Sequence, residues 1–227
     1  MVDIEKEIQS KKDPIQAKIL SRFFKTGKGQ YGEGDIFLGV TVPTLRIIVK
    51  KYYKDISLKD VQKLLNSKIH EYRLTALLIL VEKYKEDKEL IYNTYIKNFI
   101  NINNWDLVDL TAPKIMGDFL KDKNRDILYS LSTSNNLWEK RISIVATFAF
   151  IKDNDFKDTL KISEILLKDE NDLIHKAVGW MLREVGKRNK DLEKEFLDKY
   201  YRIMPRTMLR YSIEKFDPKE KEFYMKK

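Results

Sequence analysis

A polar residue recurs near the start of the second helical stretch in each successive pair along this chain, at a nearly constant interval. Arg73, in His70-Glu71-Tyr72-Arg73-Leu74, is matched by Arg141, in Trp138-Glu139-Lys140-Arg141-Ile142, 68 residues or two periods of 34 further on. Asp109 lies 36 residues beyond Arg73, and Lys176 lies 35 beyond Arg141. A period of about 34 to 36 residues is the length of two helices and their joints, and a pair that cannot bury its apolar face alone must stack on its neighbours. Between short polar joints such as Asn101–Asn104, Ser134–Asn136 and Asn189–Asp191 the apolar residues keep helical spacing, as in Leu74, Leu77, Leu78 and Val81, or Ala177, Val178, Met181, Leu182 and Val185. With only 8 Gly and 5 Pro in 227 residues, the chain lacks the turn signals that a sandwich or barrel needs.

The fold expected is therefore all-α. It is a curved α-solenoid of antiparallel helix pairs with a concave basic groove, its repeat length close to those of tetratricopeptide and HEAT-type arrays, one helical-repeat domain over 1–227. Equivalent helices would line the groove, so Arg73, Asp109, Arg141 and Lys176 are expected to converge on it. Pro14 marks a break or restart in the apolar spacing from Ile4 to Phe24. One irregular stretch interrupts the rhythm, the loop 25–42 with Gly27, Gly29, Gly32, Gly34 and Gly39. No strand precedes Gly27-x-Gly29 and no Gly-Lys-Ser/Thr follows it, so neither nucleotide-binding fingerprint is met; the stretch reads as an ordered loop with positive φ angles.

The absence of Cys removes disulfides, thiolate nucleophiles and Cys-based zinc sites. His70 and His175 are the only histidines, and nothing near either has metal-ligand spacing. No apolar run resembles a signal peptide or spans a membrane, which makes a reducing cytoplasm the default. A net charge of +9 points to a polyanionic partner if the surplus is clustered, and otherwise to lysine-decorated solvated faces.

The stretch richest in chemistry is Asn103-Asn104-Trp105-Asp106-Leu107-Val108-Asp109-Leu110. An Asn or Asp at its head caps a helix, and Trp105 and Asp109, four apart, then share a face. An indole beside a carboxylate suits a cationic ligand or a transition state that is becoming positive. The plainer alternatives are core packing for Trp105 and a helix-start charge for the acid, the role assigned to Asp106. Trp138 reads as structural. Gly179 would let the helix of Trp180 approach a neighbour closely, and core packing competes with function for Trp180 itself. Arg206 and Arg210 share a face and, with Lys176, Arg183 and Lys187, would extend a basic stripe along a polyanion. Tyr31 in the loop is divided between contact with such a partner and loop packing.

Five stretches together resemble a known family. They are Phe24-Lys25-Thr26-Gly27 with Tyr31-Gly32-Glu33-Gly34-Asp35 and Phe37-Leu38-Gly39-Val40; Trp105 to Asp109; Leu137-Trp138-Glu139-Lys140-Arg141; Ala177 to Glu184; and Pro205 to Tyr211. In this order, over nearly the whole chain, they are similar to the bacterial DNA alkylation repair glycosylases of the AlkD type, built from HEAT-like repeats. The resemblance implies excision of N3- and N7-alkylated purines from double-stranded DNA, no metal, no bound cofactor and a monomer. It places the catalytic aspartate on Asp109, the site tryptophans on Trp105 and Trp180 and the site arginine on Arg141. Lys140, within the third of these stretches, joins Arg73, Lys176 and the basic stripe as a candidate DNA contact. The alternative is a non-catalytic HEAT-like scaffold that binds DNA or a protein.

Overall fold

The computed structural model describes residues 2–226. Every regular element among them is helical; the one β-type pairing is an isolated parallel bridge between Ile36 and Ile69. The chain packs as two compact units, Met1–Thr111 and Ala112–Lys227.

The first unit holds α1 (Val2–Ser10), α2 (Pro14–Phe23), α3 (Val42–Tyr52), α4 (Leu58–Leu65), α5 (His70–Lys83), α6 (Lys88–Lys97) and α7 (Trp105–Thr111). The polar joints are its caps: Asp13, Thr41, Ser57 and Asp87 each accept a backbone N–H from the first turn of the following helix. Pro14 does restart the chain, as the first residue of α2 behind the Asp13 cap. Helix α5 packs on α3, α4 and α7 and is buried continuously from His70 to Leu80. A helix buried all round must find partners for every polar side chain it carries, and α5 carries His70, Glu71 and Arg73 in its first turn. The glycine-rich loop supplies many of those partners, with Asp106 of α7 and the Ser67 carbonyl supplying others. It enters from Phe24 through the left-handed Lys25, passes positive φ at Gly29, Gly34 and Gly39, and lies along the start of α5. Gly39 is required there for a second reason: a Cβ would stand 2.1 Å from the Asp13 carbonyl oxygen.

The second unit opens with a π-helical turn, Pro113–Gly117, closed by a 2.8 Å bond from Gly117 N to the Ala112 carbonyl. There follow α8 (Asp126–Ser132), α9 (Leu137–Ala146), α10 (Phe148–Lys152), α11 (Lys157–Ile165), α12 (Asp172–Gly186), α13 (Lys190–Tyr200), α14 (Arg206–Ser212) and α15 (Pro218–Met225). Consecutive helices pair, as α8 with α9 and α12 with α13, and α12 also packs on α9 and α14. The stacking expected from the period is thus present within this unit, and α12 is its centre, with Ile174, Ala177, Val178, Met181, Leu182 and Val185 all buried.

The contact of α12 with α14 depends on Gly179. A Cβ there would lie 2.4 Å from the Met208 carbonyl oxygen and 2.5 Å from the Tyr211 Cβ. Gly179→Ala is expected to lower unfolding free energy by about 1–3 kcal/mol in chemical denaturation, because the two helices must separate to admit one methyl group. An unchanged midpoint would show that α14 yields without cost.

Candidate active site

The start of α5 and the start of α7 are joined by a buried cluster that the loop completes. Glu71, 2% exposed, is the acceptor for the loop backbone: Leu38 N–H reaches both its oxygens at 3.0 Å, and Gly39 and Val40 N–H reach Oε1 at 2.8 and 3.3 Å. The bridge adds Ile36 N to the Lys68 carbonyl at 3.0 Å and His70 N to the Ile36 carbonyl at 2.9 Å. These bonds bring Asp35 and Phe37 over His70.

His70 lies between two carboxylates. Its Nε2 is 2.8 Å from Asp106 Oδ2, and its Nδ1 is 3.4 Å from Asp35 Oδ2. Asp35 also pairs with Arg73 Nη2 at 2.7 Å and accepts from Asn103 Nδ2 at 3.2 Å. Burial is the largest single influence on the imidazole and favours its neutral form. The Asp106 charge and the hydrogen bonds to Asp106 and Asp35 outweigh it, and the pKa rises to about 9. For Asp35, burial again acts first and upward, but His70 and Arg73 hold its carboxyl below the usual value.

Aromatic rings extend this cluster to the candidate site. The His70 ring stacks on Phe37 at 4.5 Å, Phe37 stacks on Phe24 at 5.0 Å, and Phe24 stacks on the Trp105 indole at 5.0 Å and 13°. Phe23, exposed, meets Trp105 edge-on at 5.8 Å. Trp105 is therefore not a core residue but a half-buried ring backed on one face. The backbone N–H of Trp105 donates to Asn104 Oδ1 at 2.8 Å, the expected polar residue at the head of the helix. Asp109, half-buried, follows one turn later on α7. Beneath it Tyr95, fully buried, is bonded to Thr111 Oγ1 at 2.9 Å. Burial first, and the Asp109 charge in addition, push the Tyr95 phenol upward against the lowering effect of the Thr111 bond.

One sequence expectation is met but incomplete here, and one needs correction. Asp106 does accept from a helix-start N–H, that of Leu107 at 2.9 Å, but it is 7% exposed and its other oxygen belongs to His70. Arg73, expected to face DNA, is 4% exposed. It is spent on Asp35 and on the Ser67 carbonyl at 2.8 Å, because the loop delivers a carboxylate to its side of α5. Tyr31 is half-buried, with its hydroxyl 3.5 Å from the Phe23 carbonyl.

In the second unit Trp180 is half-exposed on α12, tilted against Phe148 at 5.9 Å. Arg141 is 5% exposed on α9 and donates from Nη1 to the Leu173 carbonyl at 2.5 Å. Beside it Lys140 pairs with Asp169. Trp138 is 8% exposed, the structural role expected of it. The basic stripe is largely matched by acids: Lys176 with Asp172 at 2.7 Å, Arg183 with Glu214, and Lys187 with Glu184 at 2.5 Å. Arg206 and Arg210 are exposed, and their hydrogen bonds go to the Met225 carbonyl at 2.7 Å and the Thr207 hydroxyl at 3.4 Å. Of the stripe they are the side chains best placed to exchange a neutral partner for a phosphate.

Among the described residues, no group of three or more His, Asp or Glu side chains is arranged to hold a metal ion, and no helix is long and apolar enough to cross a membrane.

Two buried groups that titrate below pH 10 bind protons more tightly in the folded state than in the unfolded one, His70 at about 9 and Glu193 at about 8. Burial on α13 raises Glu193, against the lowering charges of Lys190 and Arg183. For His70 the stabilisation is complete below its unfolded value near 6.5 and disappears as pH rises through about 9. For Glu193 the folded state loses ground from about 4.5, where the unfolded carboxyl ionises, up to about 8. Both signs agree. The thermal midpoint is expected to fall steadily between pH 5 and pH 9, and a flat profile would contradict the burial of these two groups.

Helices packed in pairs, with an indole and a carboxylate one turn apart on α7, define an all-α protein. The family whose sequence model is described as "DNA alkylation repair enzyme" matches residues 4–216, and the chain belongs to that family. A solved structure of the same fold is a "Predicted DNA alkylation repair enzyme from Enterococcus faecalis", 17% identical, with a TM-score of 0.74 over 92% of this chain and 98% of that one. A search of curated proteins found no match. Family membership implies a role in the repair of alkylation damage, with DNA as the substrate.

Proposed function

We propose that this protein is an alkylpurine DNA glycosylase that hydrolyses the N-glycosidic bond of N3- and N7-alkylated purines in duplex DNA. The observation that carries the reading is the pair on α7: a half-buried Asp109 one turn from a half-buried Trp105 whose indole is backed by Phe24.

Alkylation at N3 or N7 gives the purine a formal positive charge, so the base leaves without prior protonation. As the C1′–N bond breaks, its electron pair goes to the base and positive charge develops on the deoxyribose. A carboxylate stabilises that charge more in the transition state than in the ground state. Asp109 fills this role and holds the water whose oxygen forms the new bond to C1′, its proton passing to the carboxylate or to solvent. The indole of Trp105 attracts a cationic nucleotide, worth about 0.5 to 2 kcal/mol and less for a neutral base, which favours the lesion over normal purines. Trp180 and Arg141 keep the site places implied by the family resemblance, the first as a second indole; Arg141, buried and bonded to the Leu173 carbonyl, must turn out of that bond to reach a backbone phosphate. Arg206 and Arg210 supply further phosphate contacts.

Duplex DNA treated with a methylating agent and incubated with the protein, with no metal added, is expected to release free methylated purines and leave abasic sites. DNA binding without release would instead assign the chain to a non-catalytic scaffold.

A further inference from the structure

We propose that His70 is a positioning residue for the α7 site, tying the first turn of α7 to the glycine-rich loop and so fixing where Trp105 and Asp109 stand. What it positions rests on the glycosylase reading; the tie itself does not.

The geometry makes the case. Each ring nitrogen of His70 faces a carboxylate oxygen, Asp106 Oδ2 at 2.8 Å from α7 and Asp35 Oδ2 at 3.4 Å from the loop. A neutral imidazole has one N–H, so only the imidazolium satisfies both. Asp106 is the residue next to Trp105. The same imidazole also reaches Trp105 from the other side, stacked on Phe37 at 4.5 Å and close to Phe24 at 5.2 Å, the ring that covers the indole. The charged groups around it are Asp35 from the loop, Asp106 from α7, and Arg73 and Glu71 from α5 itself. Arg73 is engaged with Asp35 at 2.7 Å, and Glu71 with the loop N–H groups.

Loss of the proton breaks this arrangement at a defined place. The shorter bond to Asp106 keeps the remaining N–H, and a nitrogen lone pair then faces Asp35. Asp35 stays held by Arg73 and Asn103, so the repulsion falls on the contact between imidazole and loop, beneath Phe37 and Phe24.

The test combines proton binding with rate. With two histidines in the chain, imidazole NMR of the labelled protein follows His70 directly, and its pKa is expected near 9. Single-turnover excision, corrected with enzyme-free controls, is expected to fall along the same titration while DNA affinity holds. Asp106→Asn keeps the shape and removes one charge. It is expected to lower the pKa of His70 and to move the falling limb of the rate profile by the same amount. His70→Gln, with one N–H and no charge, is expected to lose about 10- to 100-fold in rate at neutral pH and to lack the limb. A wild-type rate that ignores the His70 titration, or a limb that stays put in Asp106→Asn, would overturn the proposal. If the wild type excises nothing at any pH, the glycosylase reading fails by itself. The tie is then judged by the fluorescence of Trp105 in a Trp138→Phe, Trp180→Phe background, which follows the His70 titration if the proposal holds and ignores it if not.

Discussion

Asp109→Asn is expected to reduce release of alkylated purines by about 100- to 1,000-fold while leaving DNA affinity nearly unchanged. Asparagine keeps the shape of the side chain, exchanges one acceptor oxygen for an amide donor, and removes both the charge and the capacity to take a proton from the water. What is lost is the attraction between a carboxylate and the cationic sugar, which exists only as the glycosidic bond breaks. Ground-state binding runs chiefly through phosphates and is indifferent to that charge. Measured as single-turnover rate and binding constant, the two quantities should part. Wild-type excision by the variant would remove Asp109 from the chemistry, and a parallel loss of binding would recast it as a residue that shapes the DNA site.

The largest stability effect is expected at Glu71. Its carboxylate accepts from Leu38, Gly39 and Val40 N–H at 2.8 to 3.3 Å in a site that is 2% exposed. Glu71→Ala leaves three buried donors without acceptors, each costing about 1–3 kcal/mol before relaxation. Allowing for water entering the space, a loss of about 3–5 kcal/mol is expected in the denaturant unfolding of the first unit. That is a large share of the 5–15 kcal/mol typical of a whole domain. A change below about 1 kcal/mol would show that the loop holds its course without this anchor. The effect should also reach the site, since the loop carries Phe24 and Phe37, the rings that link Trp105 to His70.

What was legible in the sequence was whatever depends on neighbours along one helix. The caps at Ser57, Asn136, Asn171 and Asn189 follow from short polar side chains ahead of apolar periods. The four-residue spacing of Trp105 and Asp109 follows from the turn of a helix, and the close approach at Gly179 from its missing side chain.

What was not legible depends on partners distant in sequence. Asp106 meets His70 36 residues away, and Arg73 meets Asp35 38 residues away, only because the loop folds back along α5. Periodicity gave Arg73 the same phase as Asp109 but not the direction of its side chain, which a carboxylate outside the repeat decides. One signal was available. His70, Glu71 and Arg73 crowd the first turn of a helix that is otherwise apolar, and such a helix, once buried, must receive partners from elsewhere.

The account is tested most directly by resolving the products formed on a duplex carrying a single N7-methylguanine. It predicts free 7-methylguanine and an abasic strand appearing in equal amounts, at a rate that depends on Asp109. An intact strand with unmodified guanine would mean that the methyl group is removed and the base kept. That result, or a substrate left unchanged while firmly bound, would contradict it.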